Sequence, residues 1–196
     1  MAEQMMDAIV KMSPTAGLEL RKVPVPIPGP GEVLIKIHKT AICGTDVHIY
    51  DWNIWAQEHV KPPMTIGHEY VGEIAQLGAG VTGLHLGQRV SGEGHITCGR
   101  CRNCHNGNIQ WCKNTTSVGV DRNGAFAEYV CIPSSNVIII DENLPEEIVA
   151  FFDAVGNATH TALMWNLVGE DVLITGAGPI GIIAVGICKY AGARRV

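Results

Sequence analysis

Residues 98 to 112 read CGRCRNCHNGNIQWC, four cysteines separated by two, two and seven residues. Tight C-x2-C turns aim their thiolates at one point, and four thiolates close a tetrahedral zinc shell. The segment is therefore expected to be an exposed loop folded around structural zinc, held by Cys98, Cys101, Cys104 and Cys112. The main rival, an iron–sulfur run, spaces its fourth cysteine by three residues and follows it with proline. Here the gap is seven residues and Lys113 follows. A shell with no open position folds a loop and does no chemistry. The opening MAEQMMDAIVKMSPTAG has no basic stretch followed by an apolar one, so no secretory leader is read there. The expected compartment is the cytoplasm, where disulfides are the poorer explanation for clustered cysteines.

The first 140 residues read mostly as short strands. MDAIVKM, LELRKVPV, EVLIKIHK, EYVGEIAQL, AFAEYVCI and NVIIID are rich in Val, Ile and Tyr and are punctuated by Gly and Pro. Strands of that length spaced by turns predict a compact barrel-like or sandwich-like β domain. The character changes near Leu144. LPEEIVAFFDAVGNATHTALMWNLVGE is helix-like from Pro145 and two glutamates onward, with an interruption expected at Gly156 and Asn157. DVLIT then reads as a continuous apolar strand running into GAGPIG and the helix-like IGIIAVGICKYAGA. The expected division is a β-rich domain over 1–150, with its zinc loop at about 95–115, and helices plus a first βα unit over 151–196. A net charge of −5, with Lys and Arg clustered in nothing larger than pairs, argues against a nucleic-acid surface. The longest apolar run, VLITGAGPIGIIAVGIC, is broken by Pro179 and four glycines, so no membrane span is expected.

Three further segments carry chemistry. In TAICGTDVH, residues 40 to 48, a strand gives way to a short helix that Thr45 or Asp46 can cap, with Cys43 just before it. A helix N-terminus favours the thiolate, the form that binds metal. Thr45 and His48 are three apart and share a helix face. Metal binding and a buried cysteine beside a surface histidine both remain open on this motif alone. In IGHEYVGEI, residues 66 to 74, His68 and Glu69 would point to opposite faces of a regular strand, and Gly67 can supply a bend that lets them converge. In GAGPIG, residues 176 to 181, a G-x-G-x-x-G follows an apolar strand and opens a helix, the context a dinucleotide site requires. Gly176 is expected to make the tight turn, Gly178 to let a pyrophosphate approach the backbone, and Gly181 to pack helix on strand.

Cys43, Thr45, His48, His68, Glu69, the four-cysteine loop and GAGPIG, in that order, resemble the zinc-dependent medium-chain dehydrogenases. Within that family TAICGTDVHIYDW, GHEYVGEI, SGEGHITCGRCRNC, FDAVGNATHTAL and VGEDVLITGAGPIGI look most like the branch that oxidises L-threonine. The resemblance implies an α+β and α/β architecture: a GroES-like β domain followed by the beginning of a Rossmann doubly wound parallel sheet. It implies oxidation of L-threonine to 2-amino-3-oxobutanoate with NAD. It also implies catalytic zinc on Cys43 and His68, with Glu69 as a further or alternating ligand. Thr45 and His48 match the proton relay, Asp153 the acidic position at or near the metal, and Ile180 a position lining the NAD site. A homo-oligomer is implied, tetrameric for the full-length family. A polyol or simple alcohol substrate is the second reading, and a non-catalytic zinc-stabilised binding module the third. A Rossmann domain needs several parallel strands, with its ribose-binding acid about 20 residues past the glycines. This sequence reaches only ARRV, so it is expected to be the front part of a longer enzyme and to bind NAD weakly or not at all.

Overall fold

Met6, Ala8 and Val10 are buried in alternation along strand β1 (Met5–Lys11), the pattern of a strand with one face on a core. In the computed structural model, which describes residues 4–196, the chain continues through β2 (Glu19–Pro24), β3 (Glu32–Ala41), helices α1 (Gly44–Asp51) and α2 (Ile54–His59), β4 (Met64–Thr65) and β5 (Glu69–Leu77). There follow β6 (Arg89–Gly92), β7 (His95–Ile96), α3 (Arg102–His105), β8 (Thr116–Ser117), β9 (Tyr129–Pro133), β10 (Val137–Ile139) and α4 (Glu146–Val149). Helices α5 (Phe152–Ala162) and α6 (Pro179–Tyr190) follow, and short 3-10 turns lie at Ile109–Trp111 and Ser134–Asn136. The chain divides into two compact units, Met1–Ala150 and Phe151–Val196.

The first unit is built on three antiparallel sheets: β2-β1-β4, β10-β6-β5-β3-β9 and the small β7-β8 pair. Its main core joins Val33 and Ile35 of β3, Tyr70 and Ile74 of β5, Val90 of β6, and Val130 and Ile132 of β9. A second core, Ile49, Ala56, Val60, Met64 and Ile66, seats α1 and α2. An eight-residue helix such as α1 is marginal by itself in water, so this packing is what fixes its position. The stretch AFAEYVCI is regular strand only from Tyr129. Upstream of it, Ala127 makes a single bridge to Ala8, and Phe126 exchanges backbone hydrogen bonds with Ile9 and Ile66.

The second unit departs from expectation in two places. Helix α5 runs straight through Gly156 and Asn157, and the break falls at Phe151 (φ −107°, ψ 27°). A glycine inside a helix costs about 1 kcal/mol. Against that cost, Ala154, Ala158 and Ala162 are buried at four-residue spacing, and Asn157 Nδ2 donates to the Asp153 carbonyl oxygen at 3.0 Å. The DVLIT segment is bridged only at Asp171, in parallel with Arg195. Val172 N–H donates to Arg195 O at 2.9 Å, and Arg194 grips the Asp171 carboxylate with two bonds of 2.8 and 2.7 Å. A ladder needs a neighbour along its whole length. Among the described residues the bridging partner is Arg195 alone, and Leu173 is left 88% exposed.

Candidate metal centres and a glycine turn

The four-cysteine loop turns at Gly99 and Gly107, whose φ angles of 65° and 77° lie in the left-handed region, and Cys101 leads into α3. Sulfur–sulfur separations are 3.5 Å for Cys101–Cys104, 4.0 Å for Cys101–Cys112 and 3.5 Å for Cys98–Cys112. All four sulfurs lie within 4.8 Å of one another. A tetrahedron around zinc with Zn–S bonds of about 2.3 Å has edges of about 3.8 Å, whereas a disulfide needs about 2.05 Å. The set fits the metal and not a crosslink. Backbone N–H groups of Cys98 and Asn114 point at Cys112 Sγ, each at 3.4 Å, and Asn114 Nδ2 reaches Cys98 Sγ at 3.6 Å. The Arg100 N–H, followed by Asn114, holds the Cys98 thiol down at about 6. Desolvation and the neighbouring thiols push Cys104 up to about 12. Such a group does not ionise four-fold unless a cation sits among the sulfurs.

The second centre is assembled by α1 and the bend before β5. Cys43 itself occupies the helix N-cap, with extended backbone (φ −89°, ψ 159°), a place the sequence reading gave to Thr45 or Asp46. Asp46 acts from inside the first turn: its Oδ2 accepts the Cys43 N–H at 2.9 Å. Gly67 has φ +90°, and a Cβ there would stand 2.2 Å from the Phe126 ring. Regular strand pairing begins only at Glu69, so His68 is not bound by strand alternation and its ring can turn toward Glu69. Ligand atoms of Cys43, His68 and Glu69 lie within 4.8 Å of one another. One thiolate, one imidazole and one carboxylate, each partly or fully buried, form a donor set suited to zinc.

Asp46 was not singled out as a site residue by the sequence. It is 3% exposed, and its Oδ1 lies 3.8 Å from His68 Nδ1. Burial raises its pKa above the ordinary carboxylate value, opposed by the Cys43 N–H, the His68 ring and the Gly67 N–H. One carboxylate therefore braces both segments that carry the donors, as groups behind a metal ligand commonly do. The local signal was the acid three residues after Cys43; its approach to His68 is a tertiary contact. On the same helix Thr45 is half-buried and His48 exposed, with His48 Nδ1 2.9 Å from Asn53 Nδ2.

The remaining expected site residues stand in the second unit. Asp153 lies in the first turn of α5, where Asn157 Nδ2 donates to its carboxylate at 3.1 Å. At the start of α6, Gly176 has φ +94°, Gly178 is the N-cap and Pro179 occupies the first turn. A Cβ on Gly181 would meet Gly176 O at 2.3 Å, while one on Gly178 would meet nothing within 4 Å. The backbone thus turns at Gly176, closes on it at Gly181 and is open at Gly178, the geometry a phosphate-accepting helix start requires. Ile180 is exposed and lines, with Leu173, Ile174 and Trp165, a cleft of about 550 Å³ within this unit.

Residues 29–142 match the family model described as the alcohol dehydrogenase GroES-like domain, and the chain belongs to that family. Among its relatives is L-threonine 3-dehydrogenase of Stenotrophomonas maltophilia (strain K279a), 61% identical over 191 residues that cover 97% of this chain and 56% of the relative. The chain thus spans little more than half the length of the curated relatives it matches. Among solved structures, galactitol-1-phosphate dehydrogenase from Escherichia coli is 29% identical with a TM-score of 0.87, over 96% of this chain and 54% of that one. A short chain alcohol dehydrogenase from Escherichia coli CFT073, complexed with NADH, is 28% identical with a TM-score of 0.82, over 97% and 61%. Among the described residues no helix is long and apolar enough to cross a membrane.

Proposed function

We propose that the protein oxidises the secondary hydroxyl of L-threonine to 2-amino-3-oxobutanoate, with NAD as hydride acceptor. The observation that carries the reading is the convergence of Cys43, His68 and Glu69, two segments far apart in sequence brought within 4.8 Å. The 61% identity to an L-threonine 3-dehydrogenase supports the choice of substrate. Cys43 and His68 would hold the metal, with Glu69 as further or alternating ligand. Zinc bound there supplies Lewis acidity of the kind that takes the pKa of water from about 15.7 to about 7. Thr45 and His48 would relay the hydroxyl proton to solvent; a bound nicotinamide would supply the hydride acceptor for the carbinol carbon, so that the substrate leaves as the ketone. Asp46 keeps Cys43 and His68 in register. Gly178, with Gly176, Ile180 and Gly181, would receive the dinucleotide. Cys98, Cys101, Cys104 and Cys112 would hold a second zinc with a structural role only. Asp153 is assigned to the acidic position at or near the metal on the family likeness.

A panel of threonine, sorbitol, galactitol 1-phosphate and ethanol, assayed with NAD on the full-length protein, tests the reading. The expected result is that threonine has the highest kcat/KM. A preference for a polyol, which the likeness to galactitol-1-phosphate dehydrogenase makes the second reading, would keep the mechanism and change the substrate. No oxidation of any of the four would contradict both.

A further inference from the structure

Asn53 opens α2 in a way that fixes both ends of its own amide. Its Oδ1 accepts the Ala56 backbone N–H at 3.0 Å, the bond of a helix N-cap. A backbone N–H only donates, so the atom facing it is the oxygen and the other end is the NH2 group. That NH2 lies 2.9 Å from His48 Nδ1. An amide NH2 has no lone pair to offer, so Nδ1 must accept, and the proton of the neutral ring sits on Nε2. The backbone adds a second grip, since Asn53 N–H donates to His48 O at 3.3 Å across the left-handed turn at Trp52 (φ 54°). The other histidine of this helix pair is arranged the opposite way. His59 Nδ1 lies 2.8 Å from Trp55 O, and a carbonyl only accepts, so His59 carries its proton on Nδ1. Trp55 stacks on the His59 ring with centroids 4.9 Å apart.

We propose that Asn53 is a positioning residue that holds His48 as the Nε2–H tautomer, with the basic Nδ1 covered by the amide. The kinetic consequence rests on the reading of His48 as a proton relay. The one vacant basic position of the neutral ring is engaged, so proton uptake breaks the Asn53–His48 bond. The imidazolium then finds a donor, not an acceptor, opposite Nδ1.

Long-range 1H–15N correlation spectra of the zinc-loaded protein, at a pH where both rings are neutral, test the proposal. His48 is expected to show a pyrrole-type Nε2 and a pyridine-type Nδ1, with His59 showing the reverse pattern in the same spectrum. Asn53→Asp retains a good N-cap and sets an acceptor against Nδ1. In that variant the two His48 nitrogen types exchange places, His59 stays as it was, and threonine turnover of the full-length protein carrying the same substitution falls about 10-fold at constant KM because the relay ring now carries its proton on the other nitrogen. A pyrrole-type Nδ1 on His48 in the native protein would overturn the proposal. So would a His48 pattern unchanged by Asn53→Asp while His59 reports an intact helix. If that variant fails to fold, the native spectrum decides alone. Exchanged nitrogen types with unaltered kcat would keep the Asn53 assignment and remove His48 from the relay.

Discussion

Lys11 is fully buried, and its ammonium donates to three carbonyl oxygens: Thr15 at 2.5 Å, Gly17 at 3.1 Å and Tyr50 at 3.3 Å, with the Trp52 ring 4.9 Å away. Desolvation lowers its pKa from the ordinary lysine value, partly offset by Asp51. Tyr50 belongs to the last turn of α1, so a cation sits where the helix dipole favours one, and Asp46 places an acid at the other end. The helix that presents Cys43, Thr45 and His48 is thus held at both ends by buried ionisable side chains. Gly67 does the corresponding work for His68. Its φ of +90° is one that side chains rarely adopt, and an added Cβ collides with Phe126. Gly67→Ala is expected to destabilise the protein by about 2 kcal/mol or more, from the left-handed backbone and the displaced ring together. Urea unfolding of the variant measures this, and an unchanged midpoint would show that the bend does not depend on glycine.

The elements that support the site are the long β3 and β5, whose ladder carries bulges between Leu34 and Ile35 and between Ile37 and Lys39. Their Val and Ile patterning made them legible in the sequence. The two-residue strands β4, β7 and β8 were not, because so short a pairing has no period to read and is set by tertiary neighbours. Helix α5 shows the opposite effect: local breakers at Gly156 and Asn157 were outweighed by buried alanines whose burial the sequence does not announce. The zinc loop is an element of another kind. It has no buried hydrophobic residue between Cys98 and Lys113, so on the proposed reading a metal held by its four cysteines takes the place of a core. Stripping zinc with a chelator is therefore expected to open trypsin cleavage at Arg100, Arg102 and Lys113 while the β3–β5 core stays folded. Equal resistance with and without chelator would contradict a metal-held loop.

At the scale of the molecule the two units differ in how completely their backbone is paired. The five-stranded sheet of the first unit satisfies its N–H groups on β3 from both sides, whereas the 171–177 segment of the second bridges only at Asp171. Hydrogen exchange should follow that contrast, with Ile35 and Val71 protected and Leu173 and Ile174 exchanging fast in this chain. Equal protection of both groups would mean that the segment is paired in solution. Motifs as compact as C-x2-C or G-x-G-x-x-G announced their local geometry, the converging thiols and the glycine turn, because it is set by near neighbours. The bracing of Cys43 and His68 by Asp46 could not be read that way, since it depends on a chain crossing between residues 46 and 67.

The account turns on a metal held between Cys43 and His68, and counting zinc by native mass spectrometry tests it most directly. The protein is expected to carry two zinc ions, and Cys43→Ser and His68→Ala are each expected to retain one, with the four-cysteine loop still loaded. A zinc content that neither substitution alters would contradict the account.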